Sequence, residues 1–375
     1  MGRRAHKHDL AIYAPASNGF YEREGGLQLG GREVQAVQVA KGLAGEGLAV
    51  AHIVYPVDDP ESPAVGLDIV QRPAYQASGG PVGRLREGMA IWRSLSAADA
   101  EVYILRGHGM YLVVGAVFGR IRRRQVLVSG SNDIDFMPRL RGGSRLKAWV
   151  FRWSIKAADA VVAQTAQQRD VATREFPRLR NLSVIPNFAE PAEPASGQPK
   201  AFLWVGRLVD YKRPLKYIEL AEAVPEARFW MIVLETNETR AALDQQVRTR
   251  AQEVGNLEML SPRPRPELMR LLPEAAAIVL TSEYEGMPNV FLEAWMRSIP
   301  VVSLGFDPDG SIEREGMGLA AEDDWDRFVE AVARLWSDPE LRTTLGAAGR
   351  RYAQSEHDPA AVSGRWASVV RALLP

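Results

Sequence analysis

Cysteine is absent from the 375 residues. That excludes disulfides, thiolate catalysis, zinc ribbons and iron–sulfur clusters, and a reducing compartment is the natural setting. Long apolar runs are absent as well. The longest stretch without Asp, Glu, Lys or Arg, Gly107–Gly119, has 13 residues, short of the roughly 20 that a membrane-spanning helix needs. The opening MGRRAHKHDLAIYAP is basic, but its apolar run is too short for a secretory signal and reads as a first strand. Neither G-x-G-x-x-G nor G-x-x-x-x-G-K-S/T occurs, which argues against a dinucleotide enzyme and a P-loop NTPase. Net charge is missing too: 46 Lys and Arg face 46 Asp and Glu, so no general nucleic-acid binder is expected.

What is present is ordinary for a globular protein, 46% hydrophobic and 25% charged, and excludes collagen-like, disordered and coiled-coil chains. The length suggests two domains. Residues 1–187 hold 25 Lys and Arg against 17 Asp and Glu, and residues 188–375 hold 21 against 29, so the two halves look like bodies with different partners. The front half alternates apolar runs with helical stretches. Strands are expected at Leu10–Pro15, Leu48–Pro56, Glu101–Arg106, Gln125–Ser129, Ala160–Gln164 and Leu182–Pro186, mostly without polar alternation, as for parallel strands covered on both faces. Between them Val34, Val37, Ala40 and Leu43 repeat at helical spacing over Arg32–Gly45. The Pro-rich FAEPAEPASGQP, residues 188–199, reads as a linker. The alternation then restarts, with strands expected at 201–208, 227–234, 257–260, 277–282 and 300–305. The expected architecture is α/β, with two doubly wound parallel sheets. Domains are expected at 1–187 and 200–355, and a last helix in 356–375 is expected to pack back toward the first. Ligands of such folds bind at the carboxyl ends of strands, so a cleft between the bodies is the first place to look.

Three stretches carry chemistry. In TSEYEGMPNVFLEAWMRSIPVV, residues 281–302, an apolar strand gives way to a polar loop, and Pro288 stands where a helix begins. Proline suits the first helical position, because its missing N–H would lack a partner there anyway. The N–H groups of Asn289, Val290 and Phe291 would then form an anion site suited to a diphosphate. Glu285 and Glu293, eight residues apart, flank that site, and their natural partners are hydroxyls, such as those of a ribose and a hexose. The plainer alternative is an acidic helix start plus a surface glutamate. In FLWVGRLVDYKRP, residues 202–214, Arg207 and Lys212 emerge after a buried strand. Arginine grips phosphate oxygens bidentately and lysine is a mobile point charge, so the pair could neutralise a departing diphosphate. In LQLGGREVQ, residues 27–35, Gly30 and Gly31 precede a helix and would let the backbone approach a ligand closely.

Together, EGMPNVFLEA, VGRL-x3-K from Val205 to Lys212 and the early Gly-Gly-x-Glu resemble family 4 of the retaining glycosyltransferases. ADAVVAQTAQQRD (158–170), VIPNF (184–188) and SIPVVSLGFDPDG (298–310) extend the resemblance over nearly the whole chain. It implies the GT-B fold, two Rossmann-like domains facing across a cleft, with the acceptor on the first domain and the nucleotide sugar held mainly by the second. By that resemblance Arg207, Lys212 and backbone groups from Gly286, Met287, Pro288, Asn289 and Val290 would hold the diphosphate. Glu293 would hold the ribose and Glu285 the donor sugar, and Gly30 and Gly31 would close over the phosphates. No obligatory cofactor or metal is implied, only a UDP- or GDP-sugar as co-substrate. DIDF and DPDG read as structural turns.

The sequence departs from that pattern in places. Where many relatives carry a histidine, QVLVSGSNDIDF (125–136) has none. Asp133 could replace it on the donor sugar or acceptor, and His108 in RGHGM is a second candidate. Arg297-Ser298 replaces a small-Gly pair, and Leu234-Glu235-Thr236 stands where a glycine-rich turn is expected, which leaves uridine and guanosine donors both open. Residues 118–156 contain ten Lys and Arg and two Asp, interleaved with Leu146, Trp149, Val150, Trp153 and Ile155. Such a segment could lie on an anionic membrane surface, or pack its aromatics on the sheet and leave the arginines in water. The expectation is a cytoplasmic enzyme, peripheral on the inner membrane face, that builds cell-envelope polysaccharide on a glycan or polyprenyl-linked acceptor. A nucleotide-sugar epimerase and a catalytically inactive sugar-nucleotide- or glycan-binding protein remain as alternatives.

Overall fold

A computed structural model of the chain describes residues 6–21, 30–57, 65–72, 80–137, 145–179, 181–234 and 241–375. They divide into two compact units, one within Met1–Phe188 and Pro359–Pro375, the other within Ala189–Asp358.

The first unit is built on seven parallel strands: β1 (His8–Tyr13), β2 (Val50–Val54), β3 (Leu67–Gln71), β4 (Ala100–Arg106), β5 (Gln125–Ser129), β6 (Ala160–Ala163) and β7 (Leu182–Val184). Their order is β3-β2-β1-β4-β5-β6-β7, with Leu10 opposite Val50 on one side and Val102 on the other. Strands β1, β2 and β4 to β6 are nearly continuous runs of Val, Ile, Leu and Ala, buried almost throughout, because helices cover both faces. β3 was not expected. It is an edge strand with exposed Asp68 and half-buried Ile69 and Val70, so its apolar signal is diluted. The last helix, Pro359–Leu373, belongs to this unit. Val362, Trp366, Ala367 and Val370 join the core that holds Val37, Ala40 and Leu43 of the helix Gly31–Gly45.

The second unit carries six parallel strands: β8 (Ala201–Gly206), β9 (Phe229–Val233), β10 (Leu257–Leu260), β11 (Ala275–Leu280), β12 (Val301–Ser303) and β13 (Gly318–Ala320), in the order β10-β9-β8-β11-β12-β13. β13, a three-residue edge strand, was also not expected. The Pro-rich stretch is fastened to this unit. Ala195 N–H donates to the Arg297 carbonyl at 2.7 Å, and Arg350 donates to the Ala192 carbonyl at 2.7 Å.

In both sheets the chain winds outward from one central strand and then restarts on its other side. β1 and β4 form that reversal in the first unit, and β8 and β11 in the second. In open parallel sheets the connections after such a pair diverge above and below the sheet, leaving a crevice at the carboxyl ends.

Candidate functional site

The second unit's reversal gathers the residues singled out by sequence. After β8 the chain passes Gly206, where an added Cβ would lie 2.8 Å from the Trp204 ring, and a short 3-10 turn, Asp210–Lys212, follows. After β11 it runs through Thr281–Pro288 into the helix Asn289–Trp295. Side chains and backbone lace the two loops together. The Thr281 hydroxyl donates to the Lys212 carbonyl at 2.6 Å and accepts from Trp204 Nε1 at 3.1 Å. Arg213 Nε donates to the Thr281 carbonyl at 2.6 Å, and Glu283 N–H donates to the Tyr211 carbonyl at 2.8 Å.

This lacing sets Lys212 Nζ against Glu285 Oε1 in an ion pair. Only 16% of the lysine side chain and 10% of the glutamate side chain are exposed, so water screens the pair weakly. Arg207 Nη2 donates to the hydroxyl of Tyr211, the residue before Lys212, at 2.8 Å. Gly286, Met287 and Pro288 are buried, while Asn289 and Val290 are half-buried.

Two local expectations are corrected. Pro288 is the residue before the helix, with ψ 118°, so the helix starts one position later than expected. Its carbonyl accepts the Phe291 N–H at 3.0 Å, which removes Phe291 from the expected anion cradle.

Glu293 is held by a residue the sequence reading missed. Arg265 Nη1 pairs with Glu293 Oε1, and Arg265 Nη2 pairs with Glu190 Oε2 at 3.2 Å. Burial works against the charge on Arg265, but the Glu293 and Glu190 carboxylates outweigh it and raise its pKa. No spacing marks this arginine. It sits 28 residues before its partner in a Pro-rich run, and only the fold brings the two together.

Four expected site residues belong to the first unit: Gly30, Gly31 and His108 on the connections after β1 and β4, and Asp133 after β5. Gly30 precedes the helix Gly31–Gly45, of which Gly31 is the first residue. His108 follows β4, and 46% of its side chain is exposed. Its Nδ1 lies 2.9 Å from Oδ1 of buried Asp135, not against Asp133. Asp135 also accepts from the Ser131 N–H and hydroxyl at 2.8 and 2.6 Å. Asp133 opens the 3-10 turn Asp133–Phe136 and is 2% exposed, with Gln167 Nε2 at 3.5 Å from its Oδ2. Of the altered turn, Leu234 is half-buried; Glu235 and Thr236 lie outside the described residues. Among those residues, no group of three His, Asp or Glu side chains is placed to hold a metal ion.

Two α/β units, each a parallel sheet wound outward on both sides of one reversal, match the GT-B class, and the comparisons agree. A sucrose-phosphate synthase from Thermosynechococcus elongatus superposes with a TM-score of 0.77 at 16% identity, over 97% of this chain and 98% of that one. The Anabaena HepE protein in complex with UDP and glucose does so at 0.71 and 14%, over 97% and 99%. The family model for group 1 glycosyl transferases matches residues 187–352, and that for glycosyltransferase family 4 matches residues 29–193. The chain belongs to this glycosyltransferase family. An alpha-maltose-1-phosphate synthase of Mycolicibacterium smegmatis is 26% identical over 244 residues, which are 56% of this chain and 62% of that protein. The match thus spans less than two thirds of that relative's length.

Proposed function

We propose that the protein transfers a sugar, with retention of anomeric configuration, from a nucleotide diphosphate to an acceptor hydroxyl. The observation that carries this reading is the Lys212–Glu285 ion pair at the carboxyl ends of β8 and β11, with Arg207 bonded to Tyr211 on the same loop. A donor diphosphate would compete with Glu285 for the lysine ammonium. Glu285 would then be free to accept hydrogen bonds from the sugar hydroxyls, and Lys212 and Arg207 would stabilise the charge that builds on the leaving phosphate. The Met287–Val290 backbone would hold the phosphates. Glu293 would hold the ribose, at the cost of loosening its contact with Arg265. The acceptor oxygen forms its bond to the anomeric carbon as the bond to the diphosphate breaks. The proton goes to a phosphate oxygen on the same face of the sugar.

HepE was crystallised with UDP and glucose, which makes uridine donors the first to test, with guanosine donors beside them. The acceptor is read as a lipid-linked or growing glycan of the cell envelope, met at a membrane surface. Support for the membrane comes from three helices. Among the described residues, seven of the eight large exposed apolar side chains lie on Pro81–Ala98, Met110–Arg122 and Arg145–Lys156, Leu85, Ile121, Leu146 and Trp149 among them. The helices adjoin one another: Trp92 meets Phe118 edge-on at 5.0 Å, and Arg120 lies over the Trp153 ring at 5.8 Å. Together they carry nine Arg and Lys and one acidic residue, Glu87. Apolar side chains set among cations suit anionic lipid.

Incubation with a panel of nucleotide sugars tests the transfer. Slow donor hydrolysis that Glu285→Gln abolishes is expected. Binding without turnover, with or without acceptors, would indicate an inert sugar-nucleotide module, and an epimerised donor would indicate an epimerase.

A further inference from the structure

Two arginines at the carboxyl edge of the first sheet are buried without a close ion-pair partner. Arg106, the last residue of β4, is 5% exposed, and Arg72, just after β3, is 3% exposed. Neither forms an ion pair among the described residues. The Arg106 side chain makes one hydrogen bond, from Nη2 to the Asn187 amide oxygen at 3.1 Å, and its buried Nε has no partner. Arg72 reaches only the Tyr55 hydroxyl, at 3.4 Å, and its buried Nε is likewise unmatched. Burying a guanidinium without a close ion-pair partner costs several kcal/mol. Desolvation accordingly pushes the Arg106 pKa down to about 10; the carboxylates of Asp135 and Glu33 favour its charge, Arg32 opposes it, and together they do not offset the burial.

Aromatic rings link the two positions. Arg72 lies over the rings of Tyr13 and Tyr55, at 5.8 and 5.5 Å. Tyr13 meets Tyr111 at 5.1 Å, and the Tyr111 hydroxyl donates to the Arg106 carbonyl at 2.6 Å. Tyr13 ends β1 and Arg106 ends β4, so the cluster spans the reversal of the first sheet. Arg32 sits one residue into the helix Gly31–Gly45, and a Cβ on Gly107 would lie 3.0 Å from its Nη1. The whole first unit holds 27 Lys and Arg against 17 Asp and Glu.

We propose that this edge is an acceptor subsite for a sugar carrying an oxyanion, a phosphate ester or a carboxylate, gripped by Arg106, Arg72 and Arg32 with tyrosine faces against the ring. The proposal rests on the transferase reading for the word acceptor, but the binding site stands or falls separately.

Calorimetric titration of the full chain with glucose 6-phosphate, glucuronate and glucose tests it. At least one anionic sugar is expected to bind tenfold or more tighter than glucose. Preference for glucose 6-phosphate assigns a phosphate ester, and preference for glucuronate a carboxylate. Arg106→Gln and Arg72→Gln should each erase about tenfold of that preference. If either variant fails to fold, Arg32→Ala, at a partly exposed side chain, takes its place and should weaken the anionic sugar selectively. Glucose binding as tightly as both anions would overturn the proposal, as would folded variants that keep the preference. So would anion binding lost in Arg207→Ala but kept in Arg106→Gln, which would put the anion at the other unit's phosphate residues. Wild-type donor hydrolysis, measured alongside, reports on the transferase reading alone.

Discussion

Lys212 and Glu285 neutralise each other where little water reaches them, so neither can be removed without stranding the other's charge. On the proposed reading, Lys212→Ala removes a phosphate partner and frees a buried carboxylate in the same stroke. Arg207→Ala removes only a cation and its bond to Tyr211. Each is expected to lower donor turnover by about 10²–10³, the scale of one lost charge-stabilising donor. Steady-state kinetics check this, and unchanged rates in both would remove them from the site. A second residue-scale prediction concerns His52, fully buried with Nδ1 2.6 Å from the Tyr21 hydroxyl. Burial pushes its imidazole from 6.5 down to about 3. The unfolded chain takes up a proton below about pH 6.5 that the folded chain refuses until near pH 3, so stability falls with pH across that window. Urea titrations at pH 7 and pH 5 should show wild type losing about 2 kcal/mol more than His52→Gln between the two.

The helix Asn289–Trp295 is short, and a neighbouring helix fixes its position. Pro339–Glu356 lays Gly346 and Gly349 against the turn that ends it: a Cβ at Gly346 would lie 2.0 Å from the Ser298 carbonyl, and one at Gly349 2.3 Å from the Trp295 ring. Trp295 Nε1 donates to the Met317 carbonyl at 3.2 Å from the same packing. Gly346→Val must push the two helices apart. A loss of about 1–3 kcal/mol, as for other overpacked contacts, is expected in thermal melts, with weaker donor binding because Pro288 and Asn289 move with the helix. Element by element, the central strands were legible because covered parallel strands are unbroken apolar runs; Gln125–Ser129 and Leu257–Leu260 match residue for residue. β3 and β13 were not, being respectively half-exposed and three residues long. At the Pro288 boundary the proline was legible, but not whether it stands before or inside the first turn.

At the scale of the molecule, charge divides by unit: the 27 basic residues of the first unit outnumber its 17 acidic ones, and the second unit is acidic by the same margin. If the basic helices meet lipid, the chain should sediment with vesicles rich in phosphatidylglycerol and not with neutral ones, less so as salt rises. Trp149→Asp, at a side chain 63% exposed, should cut that binding without altering the melting temperature. Equal sedimentation with neutral vesicles would remove the membrane from the functional reading. The sequence by itself determined the α/β alternation and the absence of thiol chemistry, and it singled out the loops after β8 and β11 that the structure laces together. Each of these is written in residues adjacent in the chain. Only the tertiary structure decided that Lys212 faces Glu285, that Arg265 holds Glu293, that His108 meets Asp135, and that Arg72 and Arg106 are buried without an ion pair among the described residues. Those relations join residues dozens of positions apart. What sets them is how parallel strands order themselves and close their crevices, which no local spacing encodes.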